Sequence, residues 1–421
     1  MNSPSNGDPD HGIRDVRMKG FSRRATVDEA ISWIDQMTLP DVREELVALD
    51  HLAGRVLARD IISQVNVPGF DRAMMDGYAV RANDTAGAST YNPLPLEIVG
   101  EILPGQPFDG ELQPGQAVRI MTGAPMPTGA DAVLPVEKTE SDNHRVLVMD
   151  SLPEQKHIGA SGEDIRVGEC VLAAGRRIRP QDIGVLSSIG LAQLPVFARP
   201  RTRIVITGNE LLPSGTRPAG YRIADANGPM LAALVERDGG NVVNRELIPD
   251  TPEAILAAMQ DDVDVVLVSG GSSVGIEDYA PQLLAQHGEL AFHGIAMRPS
   301  SPSGMGTMGN RTVFLLPGNP VSCLCSYDFF AGRALRRLAG LPLAWPYRQQ
   351  RLRLKRKIVS QVGRVDYARV RVADSQAEPI AVAGASRLSS TTRADGFVII
   401  PTDSEGYPPQ TEVDVYLYDN T

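Results

Sequence analysis

The sequence predicts an α/β multidomain protein: a doubly wound domain over residues 201–346, a β domain over 65–160 inserted into an N-terminal helical and extended domain (20–64 and 161–200), and a C-terminal β domain over 347–421. Three observations predict it. From Arg203 onward, buried-type apolar runs alternate with helical spacings, the rhythm of parallel strands with helices on both faces. Between Val65 and Leu172, short β-like runs are separated by Pro/Gly turns. From Arg351 to Ile358, basic and apolar residues alternate, as in a half-buried strand.

The chain has 421 residues, too many for one ordinary core, so roughly two to four domains are expected. Its net charge of −10 argues against general nucleic-acid binding, which needs a basic surface to displace counterions. The run Arg351 to Lys357 is basic, but its leucines fall at period two, which fits a strand with a solvated basic face. No apolar run approaches the roughly 18 residues of a membrane helix, and residues 1–19 are polar and turn-rich, which reads as a disordered tail and a cytoplasmic protein. The three cysteines, Cys170, Cys323 and Cys325, form no disulfide framework and read as buried thiols.

Thr26 and Glu29 make a capping box ahead of Val27, Ala30, Ile31, Ile34 and Met37, which share one helical face. Short strands are expected at Pro95–Val99, Gln116–Met121, Ala132–Val136 and Arg145–Met149. A second helix is expected over Pro180–Ile189, packing with the first across the β insertion. The doubly wound block reads as strand Arg203–Thr207, helix Gly228–Asp238, strand Val242–Leu247 and a helix capped by Thr251. Strand Asp264–Ser269, helix Tyr279–Gln286, strands Leu290–Met297 and Thr312–Leu316, and a helix from Asn319 to Gly340 follow.

In an open α/β sheet, ligands bind beyond the carboxyl ends of the strands, so the loops there carry the chemistry. They are Thr207-Gly208-Asn209-Glu210, Pro249-Asp250, Ser269 to Asp278, Arg298 to Ser303, and Pro317 to Ser322. Gly270, Gly271, Ser272 and Ser273 have the composition of an anion cradle, in which bare backbone and hydroxyls approach an oxyanion. Pro317, Gly318, Asn319, Pro320 and Ser322 sit at a helix N-terminus, a second anion site or a simple cap. Glu210, Asp250 and Asp278 come from three loops of one edge; beside a phosphate, such carboxylates fit a hard cation, Mg²⁺ above all. Solvated loop acids are the plain alternative.

At MDGYAVR (Met75 to Arg81), RIMTGAPMP (Arg119 to Pro127), GEDI (Gly162 to Ile165), TGNEL (Thr207 to Leu211), SGGSSVGIEDY (Ser269 to Tyr279) and LPGNPVS (Leu316 to Ser322), the chain closely resembles the molybdopterin molybdenumtransferase family, bacterial MoeA and the E domain of gephyrin. The resemblance implies a homodimer of four-domain subunits whose N-terminal domain takes part in dimerisation and whose doubly wound domain is MogA-like and binds molybdopterin. It implies hydrolysis of AMP from adenylylated molybdopterin in a Mg²⁺-dependent step that uses molybdate as substrate, with molybdenum inserted into the dithiolene. The active cleft is expected between the doubly wound domain of one subunit and the β domain of the other. Asp76 and Asp164 would be facing acids, Glu210, Asp250 and Asp278 the nucleotide and metal side, with Thr207, Gly208, Arg298 and Ser322 among the substrate-holding residues. Further partners implied are a molybdopterin adenylyltransferase and cofactor-accepting molybdoenzymes.

Two departures mark this chain. Arg298-Pro299-Ser300-Ser301 stands where the family usually has Lys-Pro-Gly, and Asp225-Ala226-Asn227 where it usually has Asp-Ser-Asn. The alternatives are the adenylyltransferase itself, against which the long β insertion argues, and a carrier or scaffold that binds molybdopterin without turnover.

Overall fold

The computed structural model describes residues 24–37, 43–142, 144–271, 279–381 and 384–418, and the chain divides into two compact units, residues 46–196 and the remainder. In the larger unit, strands Asn241–Ile248, Arg201–Thr207, Val265–Ser269 and Arg311–Leu316 lie side by side and parallel. Gly304–Met308 and Glu289–His293 extend this sheet antiparallel at one edge.

Strand residues alternate between two cores, as period-two geometry requires. Ile204, Ile206, Val265, Leu267, Phe314 and Leu316 face helix Asn227–Arg237 and the helical stretch beginning at Pro320, while Val205, Val266, Val268, Val313 and Leu315 face helices Pro252–Met259 and Ala280–His287. The long C-terminal helix runs from Pro320–Ser326 through a π segment, Tyr327–Ala331, to Gly332–Leu338.

Two expectations change here. The apolar segment expected as one strand over Leu290–Met297 ends at His293, and a strand the sequence hides, Gly304–Met308, follows it antiparallel. Glycine masks that strand's propensity yet is required: a Cβ on Gly306 would sit 1.9 Å from the Glu289 carbonyl oxygen. The first helix, Val27–Gln36, expected to pack with the helix at Pro180, instead belongs to the doubly wound core. Its Val27, Ala30 and Ile34 bury in the doubly wound core, Asp35 pairs with Arg333 at 2.7 Å, and Arg337 donates to the Ile34 and Met37 carbonyls at 2.7 and 2.9 Å. The capping box is present, with Thr26 Oγ1 accepting from the Glu29 amide at 3.1 Å and the Glu29 carboxylate from the Thr26 amide at 2.7 Å.

In the C-terminal part, strands Val365–Ala373, Gln376–Ala381, Arg348–Leu354, Glu412–Leu417 and Gly396–Ile400 close into a barrel, since Val365–Ala373 pairs with both Gln376–Ala381 and Gly396–Ile400. Leu352 and Leu354 point into its core, whereas Arg351 and Arg353 lie within 3.5–3.8 Å of Glu412 and Asp414 across the strand. Lys355 and Arg356 pair with Glu378. Four of the run's basic side chains thus lie beside acids of neighbouring strands.

The smaller unit holds a six-stranded sheet in the order Ala132–Pro135, Gly77–Val80, Gln116–Ile120, Leu94–Ile102, Arg145–Val148, Thr139–Ser141. Helix Pro180–Ser188 packs there with Leu52 and Leu57. Cys323 and Cys325 are buried, and burial pushes the Cys323 thiol up to about 12, but Cys170 is exposed because its side of the strand Cys170–Leu172 faces outward.

Asp182, buried at the start of that helix, accepts from Arg176 at 2.9 Å and from the Arg179 amide at 2.9 Å. These bonds, the Arg176 guanidinium first, hold its carboxyl far below the ordinary carboxylate range. A depressed folded value gives stability that is present above the unfolded value and lost as the pH falls below it and through the folded value. Asp182→Asn is expected to unfold more readily in urea at pH 7, by on the order of 1–3 kcal/mol. That difference should shrink as the pH falls below about 4; a difference independent of pH would contradict the assignment.

Candidate functional site

Strand order reverses between Arg201–Thr207 and Val265–Ser269: the chain leaves the first of these to one side, for Asn241–Ile248, and returns on the other. The helices diverge at such a switch point and leave a crevice beyond the carboxyl ends. A cavity of about 470 Å³ lies there, lined by Thr207, Gly208, Glu210, Asp225, Asn227 and Asp250. Ser269, Gly270, Gly271, Pro317, Gly318, Asn319 and Pro320 complete the strand-end part of its wall. Its size is that of a small-molecule site.

Parallel register sets these positions. Ile206 is level with Ser269, and Ser269 with Leu316, so three successive loops open at one height. Gly270 then crosses the Thr207 backbone so closely that a Cβ would lie 2.1 Å from the Thr207 carbonyl oxygen, and its φ of +107° is itself a glycine conformation. Gly271 has φ +56°, with Asp250 Oδ1 3.4 Å from the Cβ position.

Thr207 Oγ1 donates to Asp250 Oδ1 at 2.6 Å. Asp225 accepts from the Gly228 amide at 2.8 Å, turning the chain into the helix at Asn227. Asn227 Nδ2 donates to Ser269 Oγ at 2.9 Å and to the Gly318 carbonyl at 2.8 Å, tying three loops together. Asn227 Oδ1 is buried without a partner among the described residues, an acceptor left at some cost.

Of the residues singled out in the sequence, Thr207, Gly208, Glu210, Asp250, Gly270, Gly271, Pro317, Gly318, Asn319 and Pro320 all reach this wall. Ser272, Ser273 and Asp278 lie outside the described residues. Arg298 and Ser322 do not line the cavity. Arg298 sits on the short strand Met297–Arg298, which pairs with Val365–Asp366 of the barrel, and its guanidinium is bound by buried Asp366. Ser322 is buried and its carbonyl accepts from Ser300 Oγ. The first-turn amide of Val321 is taken by the Ala385 carbonyl at 2.9 Å, so this helix start has fewer donors for an anion than its sequence implied. Asp76 and Asp164 are exposed residues of the smaller unit.

Reading only strand-end loops missed Ile223, Asp225 and Asn227, which arrive from the segment before a helix, and Ser386, which comes from the barrel. The Asp-x-Asn signal was visible at Asp225; Ser386 had none.

The wall carries the carboxylates Glu210, Asp225 and Asp250 and, among the described residues, no lysine or arginine. The described lining thus offers a phosphate no side-chain cation. Among the described residues no three His, Cys, Asp or Glu side chains converge as a complete metal cage. Mg²⁺ needs no such cage: it keeps waters and is held by one or two carboxylates plus substrate phosphates. Hard oxygens from Glu210 and Asp250 fit that requirement.

Fold and site define a multidomain protein organised round a ligand cavity at the switch point of a doubly wound domain. Residues 25–190 match the MoeA N-terminal region (domain I and II), residues 203–337 a probable molybdopterin binding domain, and residues 351–418 the MoeA C-terminal region (domain IV). The molybdopterin molybdenumtransferase 2 of Mycobacterium tuberculosis is 36% identical over 384 residues, covering 88% of this chain and 94% of that protein. The molybdopterin molybdenumtransferase of Haemophilus influenzae is 34% identical over 320 residues, covering 75% and 78%. A crystal structure of the molybdopterin biosynthesis MoeA protein from Pyrococcus horikoshii superposes with a TM-score of 0.84 at 31% identity, covering 95% of this chain and all of that one. The chain belongs to the molybdopterin molybdenumtransferase family.

The glycine geometry makes a paired prediction. Gly270→Ala should cost roughly 2–6 kcal/mol from strain and overlap together. Gly318→Ala, whose Cβ would meet, among the described residues, only Gly270 Cα at an ordinary 3.7 Å, should cost less than about 1.5 kcal/mol. Urea unfolding of both variants checks this; equal losses would refute the close approach.

Proposed function

We propose that this protein inserts molybdenum from molybdate into adenylylated molybdopterin, with Mg²⁺-dependent release of AMP. The observation that carries the reading is a switch-point cavity combining bare glycine backbone with a wall of carboxylates. The family's relatives, named as molybdopterin molybdenumtransferases, support it.

The chain's own residues divide the work. Gly270 and Gly271 let the ligand's phosphates approach the backbone, and Asn227 fixes the loops that flank them. Thr207 holds Asp250 in one orientation. Glu210 and Asp250 would hold Mg²⁺, with Asp278 as the third carboxylate the family resemblance implies. When bound, the ion neutralises phosphate charge as the phosphoanhydride breaks. Asp76 and Asp164 enter as further carboxylates of the reaction, in a homodimer, and molybdopterin adenylyltransferase and molybdoenzymes stand before and after it. We place the reaction in the cytoplasm; no described helix is long and apolar enough to cross a membrane.

Purified protein incubated with adenylylated molybdopterin, molybdate and Mg²⁺ should release AMP, measured by chromatography. Asp250→Ala and Glu210→Ala should each lower the rate roughly tenfold or more and weaken its Mg²⁺ dependence. Absence of AMP from the wild-type protein under every metal and molybdate condition would overturn the proposal.

A further inference from the structure

In the RIMTGAP segment, Arg119 to Pro125, one side chain makes a specific contact. Strand Gly77–Val80 pairs with Gln116–Ile120 so that Gly77 lies opposite Ile120. The residues just beyond, Asp76 and Thr122, therefore meet at the end of the sheet. Thr122 donates twice to Asp76 Oδ1, through its amide at 2.7 Å and its hydroxyl at 2.6 Å. Oδ2 takes no hydrogen bond among the described residues.

Both backbones are held independently of this contact. The Gly123 amide donates to the Ala73 carbonyl at 2.8 Å, the Ala73 amide to Ala124 at 2.9 Å, and the Met126 amide to Asp71 at 2.9 Å. The Val136 amide donates to the Asp76 carbonyl at 3.0 Å, and a Cβ on Gly77 would strike the Leu134 carbonyl at 1.9 Å. The Asp76 backbone is thus tied to the neighbouring strand, and among the described residues the hydrogen bonds to its carboxylate come from Thr122. Two donors on one oxygen favour the ionised form.

We propose that Thr122 is a positioning residue that holds Asp76 as a fixed, ionised carboxylate by engaging Oδ1 and leaving Oδ2 without a hydrogen bond among the described residues. This rests on the proposed participation of Asp76 in the reaction. It makes Asp76 an acceptor or base and removes it as a proton donor. The hydrogen bonds from Thr122, hydroxyl first and amide second, hold the Asp76 carboxyl below its usual range. Other titratable groups on segments tied to this loop are Glu137 and Lys138 beside Val136, His157, whose carbonyl accepts from Met74, and Arg72, paired with Glu163 at 2.7 Å.

The test uses the full-length ¹³C-labelled protein, with the Asp76 carboxyl signal identified by its loss in Asp76→Asn. In Thr122→Val its titration midpoint should move up, and in Thr122→Ser, which restores the hydroxyl, it should return. With adenylylated molybdopterin and molybdate, Thr122→Val should lower kcat about tenfold with KM little changed, move the acid limb of the pH profile upward, and be rescued by Ser. An unmoved Asp76 midpoint in Thr122→Val, or a Ser variant as impaired as Val, would overturn the proposal. Turnover by no protein, wild type included, would sink the transferase reading instead, and the titration alone would then decide the Thr122 contact.

Discussion

The close passage of Gly270 beneath the Thr207 carbonyl is the constraint on which the site depends. It exists because two parallel strands end in register on either side of a topological reversal, so that the loop after one must cross the end of the other. No side chain fits in that crossing. Once it is made, Thr207 can reach Asp250, Asn227 can span Ser269 and Gly318, and the cavity has a fixed floor. The chemistry of the wall is thus a consequence of sheet topology before it is a matter of which acids line it.

The barrel's contribution needs a second support, supplied by a buried junction within the same unit. Trp345 lies edge-on to Phe329, Phe397 and Tyr416 at 4.8–5.5 Å and donates to the Asp328 carbonyl at 2.9 Å. Asp328 and Asp238, both fully buried, face Arg237 and Arg336 at 2.8–3.0 Å, and Tyr347 donates to Asp328. Burial raises the Asp328 carboxyl despite Arg237 beside it, which marks how much desolvation this cluster carries. The π segment Tyr327–Ala331 places Asp328 there, inside the helix that starts at the cavity. Helix, cavity edge and barrel are one mechanical piece, and Ala385 and Ser386 reach the site through it.

Much of this was legible in the sequence. Strand cores such as Arg201–Thr207 and Val265–Ser269 stand out because burial on both faces demands continuous apolar residues, and Thr26 and Thr251 cap helices through local bonds. Legibility failed where the partner is distant. Gly304–Met308 is a strand only because Glu289 and Leu315 flank it, and the first helix gives no sign that its apolar face belongs to the doubly wound core. Arg298 shows the same limit at the site: a cation in a strand-end loop reads as an anion ligand until buried Asp366, 68 residues away, is seen to hold it. Loop composition told which backbone could approach a ligand, but not which charges would be left facing it.

That residual charge decides what the cavity can hold. With Arg298 engaged elsewhere and the Val321 amide bonded to Ala385, the described wall presents carboxylates rather than fixed cations. Against the described wall alone, a phosphate ester meets carboxylates without a fixed side-chain cation, and a cation meets too few ligands for a closed cage. A phosphate and a divalent cation entering together satisfy both deficits, each completing the other's coordination. On the proposed function, the described wall therefore suits a metal-bound phosphate better than either partner alone.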